Sequence, residues 1–318
     1  MRVLVTGGAG FIGSALVDFL LTDDSIIQPI EVVVLDSLTY AGNLRNIDKC
    51  SNKEVFNFVL GDINNSDLVE SLVASVDIVI NLAAETHVDR SILSPVKFIE
   101  TNVNGTMVLL NAIRNNPETR YIQVSTDEVY GSINEGSWDE KCALIPNSPY
   151  SASKASADLL CYSYFKTYDI NMSITRCSNN YGPRQYPEKL IPVVIKKIYN
   201  KEKIPVYGNG MNIREWIHVQ DHVKGIWKVA TSGLAGEVYN IGSKNSYTNL
   251  EIIKKIILMM SADEDLINFI TDRPGHDLRY SLNTQKIEQE IGFWPTLNFE
   301  EGLKGTIGWY LSDYASQI

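Results

Sequence analysis

Residues 2 to 13 read Arg-Val-Leu-Val-Thr-Gly-Gly-Ala-Gly-Phe-Ile-Gly. A short apolar strand runs into a glycine turn, and an amphipathic helix follows from about Ser14 to Leu21. Gly7 permits a tight turn, Gly10 lets a pyrophosphate approach the backbone at a helix N-terminus, and Gly13 lets helix and strand pack closely. Phe11 and Ile12 lie inside the same signature. A lone glycine pattern also fits a plain structural turn, so its context decides. Asp36 closes the next apolar run, Glu31 to Leu35, about twenty residues on. A carboxylate there accepts hydrogen bonds from an adenosine ribose and repels a 2′-phosphate, which predicts NAD rather than NADP.

The rest of the chain continues the alternation. Strands are expected at about 55–60, 77–82, 121–125 and 172–176, with helices at about 95–115 and 150–168. Strands alternating with helices imply an α/β fold, here a Rossmann-type doubly wound parallel sheet covered on both faces. Gly61-Asp62-Ile63 suits an adenine edge contact, and Leu82-Ala83-Ala84 places small residues where a cofactor backbone must pass. After Cys177 short elements are separated by Tyr181-Gly-Pro183, Tyr207-Gly-Asn-Gly210 and Arg273-Pro-Gly275. The expected division is an NAD-binding domain over 1–178 and a smaller C-terminal α/β substrate domain over 179–318. A strand near 237–241 returns to the first sheet, and a helix follows at about 249–260. The cleft between the two is the natural ligand site.

The 318 residues are long enough to bury a sizeable core, and a net charge of −10 argues against a nucleic-acid or anionic-membrane surface. No run approaches the roughly 18 apolar residues of a membrane span. The N-terminus enters a strand with no signal-peptide layout. Cys50, Cys142, Cys161 and Cys177 have neither metal-ligand spacing nor a disulfide framework, so reduced thiols in a cytoplasmic protein are expected. No metal is expected. His87 with Asp89, and His218 and His222 with Asp221, lack a ligand set and read as structural or substrate contacts.

The chemistry is concentrated in Ser125-Thr126-Asp127-Glu128 and Tyr150-Ser-Ala-Ser-Lys154. Tyr150 and Lys154, four apart, share one helical face. There an ammonium lowers the phenol's pKa and reaches a cofactor ribose. With Thr126 they form a proton-abstracting device for alcohol oxidation. Asp127 and Glu128 add an acid and a base. Removing water needs both, whereas oxidation or epimerisation alone does not. A helix N-terminal acidic pair is the bland alternative. Neighbours on an extended strand point to opposite faces, so both reach one substrate only if the chain bends after Thr126.

These motifs resemble the extended short-chain dehydrogenase/reductase family of nucleotide-sugar enzymes. The resemblance extends through Ala84-Glu-Thr-His-Val-Asp-Arg-Ser91, Ser178-Asn-Asn-Tyr-Gly-Pro183, Pro187-Glu-Lys-Leu-Ile-Pro192, Pro205-Val-Tyr-Gly208, Ile213-Arg-Glu-Trp216 and Arg273-Pro-Gly-His-Asp-Leu-Arg-Tyr280. It covers essentially the whole length and is strongest to the branch that dehydrates dTDP-glucose. It implies oxidation at carbon 4, loss of water across carbons 5 and 6, and hydride return to carbon 6. Thr126, Asp127, Glu128, Tyr150 and Lys154 would be catalytic, and Thr101 and Ser125 would join the cofactor contacts. Arg214 and Arg273 suit a diphosphate, and Tyr207 beside Pro205 suits a pyrimidine face. Thr86, Asn179, Lys189, Leu190, Asn249, His276 and Tyr280 are carried over as substrate contacts by motif position. The resemblance also implies a homodimer through the helices at 95–115 and 150–168, where Leu159, Leu160, Tyr162, Tyr164 and Phe165 exceed the needs of one buried face. Burial of those residues under the second region is the alternative.

The family usually has Ser at Thr86 and a more aromatic stretch at Arg184-Gln-Tyr186. Rival readings are a UDP-glucose 4,6-dehydratase, a nucleotide-sugar 4-epimerase, a glucuronate-nucleotide decarboxylase, and a non-catalytic NAD-binding sensor or scaffold.

Overall fold

Val3, Leu4 and Val5 alternate between the two faces of a strand, and both faces are buried. In the computed structural model, which describes residues 1–26, 28–50 and 53–316, this strand is β1 (Arg2–Thr6). It is followed by α1 (Phe11–Thr22), β2 (Glu31–Asp36), β3 (Phe56–Leu60), α2 (Ser66–Val73) and β4 (Ile78–Asn81). Next come α3 (Val88–Leu93), α4 (Val96–Phe98), a π-helical stretch Ile99–Gly105, α5 (Thr106–Asn115), β5 (Arg120–Thr126), α6 (Pro149–Tyr168) and β6 (Met172–Cys177). The remainder comprises β7 (Asn179–Tyr181), α7 (Leu190–Tyr199), β8 (Ile204–Tyr207), β9 (Ile213–His218), α8 (Val219–Ser232), β10 (Val238–Ile241), β11 (Ser246–Thr248), α9 (Asn249–Met259), β12 (Ile267–Ile270), α10 (Gln285–Ile291) and α11 (Phe299–Ala315).

The large sheet has the order β10-β6-β5-β4-β1-β2-β3, and its paired strands run parallel. Val3 pairs with Val32 on one side and Ile78 on the other, which puts β1 at the point where the strand order reverses. One face packs Val3, Val5, Leu16 and Val17. The other packs Leu4, Val33, Leu35 and Leu109. A separate core, including Ile191, Trp216, Ile253 and Leu303, gathers α7, α9 and α11 around the short strands.

β10 joins the large sheet against β6, but it does not return alone. Val219, Val223, Ile226 and Val229 of α8 belong to the core of the large sheet, as does Ile287 of α10. The crossover before a parallel strand must lie on a face of the sheet, so the apolar stripe of α8 is buried there.

The helix expected over 95–115 is interrupted by the π stretch. A Cβ on Gly105 would stand 2.4 Å from Ile63 Cδ1, so the segment closes tightly on the β3 loop. Within it Asn102 donates to the Glu85 carbonyl at 3.0 Å and Ser153 Oγ at 2.8 Å, and accepts the Glu85 N–H at 2.9 Å. Single π turns of this kind cluster at functional sites.

Candidate active site

The loops at the C-terminal ends of the large sheet's strands enclose a cavity at the β1/β4 switch point, where ligands bind in open α/β sheets. Gly7 has φ +67°, and a Cβ there would stand 2.8 Å from Ala83 N. A Cβ on Gly13 would come within 2.1 Å of the Gly7 carbonyl oxygen. Helix α1 starts from Gly10 without a side-chain cap and without acidic residues in its first turn, so its leading N–H groups are free for an anion. Asp36 supports the turn, accepting from Ala9 N at 2.9 Å and Leu38 N at 2.8 Å. Burial nevertheless lifts its carboxyl above the ordinary range.

All the residues expected to touch the cofactor, from Gly7, Gly10, Phe11, Ile12 and Gly13 through Asp36, Asp62, Ile63, Leu82, Ala83, Ala84 and Thr101 to Ser125, line this one cavity. Thr126, Asp127, Glu128, Tyr150 and Lys154 line it too. The hydroxyls of Ser125 and Ser178, Asn179 Oδ1 and Gln185 Oε1 are buried in its wall without a hydrogen-bond partner among the described residues, as expected of a cradle shaped for a polar ligand. An NAD-like dinucleotide fits the glycine cradle, the free helix start and the Asp36 carboxylate.

Strand β5 ends at Thr126, and the chain turns into one short 3-10 segment, Asp127–Tyr130. Thr126 caps it by accepting the Glu128 N–H at 3.3 Å. This turn brings two adjacent carboxylates to one cavity. Asp127 is 2% exposed. Its carboxyl is pushed well above the ordinary range by burial, then by the Glu128 and Glu215 charges, with Arg214 opposing. A shift in that direction favours the protonated carboxyl, the form able to donate.

Helix α6 carries Tyr150 and Lys154. Its start is set by Ser148 as N-cap and Pro149 in the first turn, and a buried Asp158–Arg176 pair at 2.8 Å ties it to β6. Lys154 is not among the groups that shift the Tyr150 phenol most. Burial and the Glu128 charge raise Tyr150 well above its usual value, eased only by Thr126. Lys154 instead donates to the Val124 carbonyl at 2.7 Å, and burial lowers its own pKa. The free protein therefore holds a neutral phenol.

The expected substrate residues fall into four sets. Thr86, Asn179 and Lys189 line the cavity, and the Lys189 ammonium donates to the Thr86 carbonyl at 2.9 Å. Arg214 and Tyr280 are stacked, guanidinium carbon to ring centre 4.3 Å, with Arg214 pinned by the carbonyls of Ile213 and Asp277. Tyr207, Arg273 and His276 gather near Asp89, which accepts from the Tyr207 hydroxyl at 3.3 Å and lies 3.5 Å from Arg273. Pro205 lies in β8, Asn249 opens α9, and Leu190 packs against the second core. Of the expected substrate residues only Thr86, Asn179 and Lys189 line the cavity; the other eight do not, among the described residues.

Sequence reasoning missed a strap. Arg184, with φ +70°, pairs with Asp18 at 2.6 Å. Tyr186 meets Tyr40 edge-on at 5.4 Å, Arg90 lies 3.8 Å over the Tyr40 ring, and Arg90 pairs with Glu188 at 3.1 Å. Gln185, Tyr186 and Glu188 all line the cavity. The charge of Glu188 inside Pro187-Glu-Lys189 was the available signal.

His87 and His218 cap helices, and His222 bonds Asn180 at 2.9 Å, its pKa lowered to about 3 by burial. The four cysteines are free, and no group of His, Cys, Asp or Glu that could hold a metal occurs among the described residues. No helix among them is long and apolar enough to cross a membrane.

A family model described as GDP-mannose 4,6 dehydratase matches residues 4–306. A dTDP-glucose 4,6-dehydratase of Streptomyces niveus is 48% identical over 316 residues, 99% of this chain and 94% of the relative. Among solved structures, DesIV, a dTDP-glucose 4,6-dehydratase from Streptomyces venezuelae with NAD bound, matches with a TM-score of 0.97 at 47% identity, covering 99% of this chain and 98% of that one. A UDP-glucose 4-epimerase from Thermotoga maritima, solved with UDP-glucose, matches with a TM-score of 0.90 at 27% identity, covering 99% of this chain and all of that one.

Proposed function

The chain belongs to the GDP-mannose 4,6 dehydratase family, and from that premise we propose that it uses NAD to convert dTDP-glucose to dTDP-4-keto-6-deoxyglucose. The observation that carries this reading is the buried Asp127 beside Glu128 in the same cavity as Tyr150 and Lys154, its carboxyl pushed upward by burial. An epimerase or a decarboxylase has no task for such an acid, although its fold is the same.

Bound NAD supplies a hydride acceptor at carbon 4 and later a hydride donor at carbon 6. Tyr150 takes the proton of the sugar 4-hydroxyl, with Thr126 orienting the oxygen. Lys154, which keeps two ammonium hydrogens beside the one given to Val124, would hold the nicotinamide ribose. A positively charged nicotinamide bound there would favour the phenolate that the free protein disfavours, leaving Tyr150 able to take the proton. With a ketone at carbon 4 the carbon 5 proton becomes acidic, and Glu128 removes it. Asp127 gives its proton to the departing 6-hydroxyl, so water leaves, and Glu128 returns its proton to carbon 5. Arg214, Arg273, Tyr207 and His276, on the second region, hold the nucleotide diphosphate.

Two copies pair through the outer faces of the helices at 88–115 and 149–168. There Leu93, Ile99, Met107, Leu159 and Tyr162 are exposed, whereas Leu160, Tyr164 and Phe165 pack against the core of the large sheet. We place the protein in the cytoplasm, where its free thiols stay reduced.

Incubation with dTDP-glucose and, separately, UDP-glucose, followed by mass spectrometry, tests the reading. Loss of one water without net NADH is expected, faster with dTDP-glucose. An unchanged mass with both overturns it.

A further inference from the structure

Ser151 follows the proposed base tyrosine and is fully buried in the first turn of α6. Its Oγ lies 3.3 Å from Glu128 Oε2 and 2.6 Å from Ser148 Oγ. Ser148 Oγ also accepts the Ser151 N–H at 3.1 Å, and that bond alone satisfies the helix cap. The Ser151 hydroxyl is therefore free for another task. At its other end Glu128 is held by its own N–H on Thr126.

We propose, on the dehydratase reading, that Ser151 backed by Ser148 is a positioning residue that holds Glu128 in both of the charge states its role requires. When Glu128 is ionised, Ser148 donates to Ser151 Oγ and Ser151 donates to the carboxylate. When Glu128 carries the proton from carbon 5, its own O–H donates to Ser151 Oγ. Ser151 then donates to Ser148 Oγ, which has a second lone pair for it beside the Ser151 N–H. The reversal rotates two hydroxyl hydrogens and moves no heavy atom. Glu128 takes the proton from carbon 5, exchanges it with solvent while it holds it, and returns a proton to carbon 5, and the serines pass none to the substrate. A base fixed in both states stays aligned for the outward and the return transfer.

The test uses the full-length enzyme with bound NAD and dTDP-glucose. Three quantities are followed: product formation, the near-ultraviolet absorbance of reduced nicotinamide, and deuterium entering carbon 5 from heavy water. In Ser151→Ala, turnover should fall about ten- to a hundred-fold. Oxidation at carbon 4 should persist, so reduced cofactor accumulates during turnover while deuterium uptake slows. Ser148→Ala should shift the same readouts less, and Ser148→Thr, which keeps hydroxyl and cap, should restore most of what Ser148→Ala loses. This pair carries the test if Ser151→Ala does not fold. Unchanged turnover, or equal slowing of oxidation and water loss, overturns the proposal. Failure of the unaltered protein to convert dTDP-glucose instead overturns the dehydratase reading, and this inference with it.

Discussion

Asp127 Oδ1 accepts the Thr126 hydroxyl at 3.2 Å, while Asp127 Oδ2 is buried with no hydrogen-bond partner among the described residues. The neutral carboxyl thus has one oxygen anchored and one free to present its proton. Asp127→Asn combined with Glu128→Gln should leave oxidation at carbon 4 intact and slow water loss by roughly 10²–10⁴-fold. Reduced cofactor should build up on mixing with substrate. Wild-type turnover in the double variant would remove the role assignment.

The same burial predicts a pH effect on stability. The folded-state pKa of Asp127 lies above its ordinary 3.8, so its unfolded form ionises first as pH rises. Its favourable contribution is complete below the unfolded value and is lost progressively as pH climbs toward the folded one. Asp127→Asn should therefore gain melting temperature over wild type as pH goes from about 4 to 8. A gap that narrows over that range would contradict the assignment.

Gly13→Ala forces a Cβ to within 2.1 Å of a backbone carbonyl oxygen, where no flexible side chain can yield. Destabilisation of about 1–3 kcal/mol is expected, with loss of NAD binding. Denaturant unfolding and the cofactor content of the purified variant measure both. A variant that keeps wild-type stability and cofactor would show that the turn relaxes freely.

The strap from Arg184 to Glu188 closes one wall of the cavity, and the Arg184–Asp18 pair anchors it across the two regions. Asp18→Asn should speed NAD dissociation a few-fold, in keeping with about 0–1 kcal/mol for a partly exposed pair. Gel filtration followed by measurement of retained cofactor reads this out. Equal retention would separate the strap from cofactor holding.

Leu159 and Tyr162 are 59% and 51% exposed on a helix whose opposite side is buried. Leu159→Glu with Tyr162→Lys should turn a dimer into a monomer in sedimentation without lowering the melting temperature of the monomer. A wild-type protein that sediments as a monomer would end the dimer proposal.

Local pattern was enough for the elements that rest on local physics. The strand-glycine-helix start, the carboxylate at Asp36, the run of parallel strands, the return of a strand near 237–241 and the Tyr150–Lys154 helix were all legible. Spacing of apolar residues and the sterics of glycine act within a few residues of themselves. What the folded chain alone decided depends on groups far apart in sequence. The upward shift of the Asp127 carboxyl owes part of itself to the Glu215 charge on β9, with Arg214 of the same strand opposing it. The Lys154 ammonium is held by the carbonyl of Val124 on β5, thirty residues away in sequence. The Arg184–Asp18 strap joins residues on two regions, and α8 lies on the large sheet because the parallel crossover leaves its apolar stripe nowhere else to be buried. Desolvation and cross-domain hydrogen bonding have no local period, so only the tertiary structure sets them.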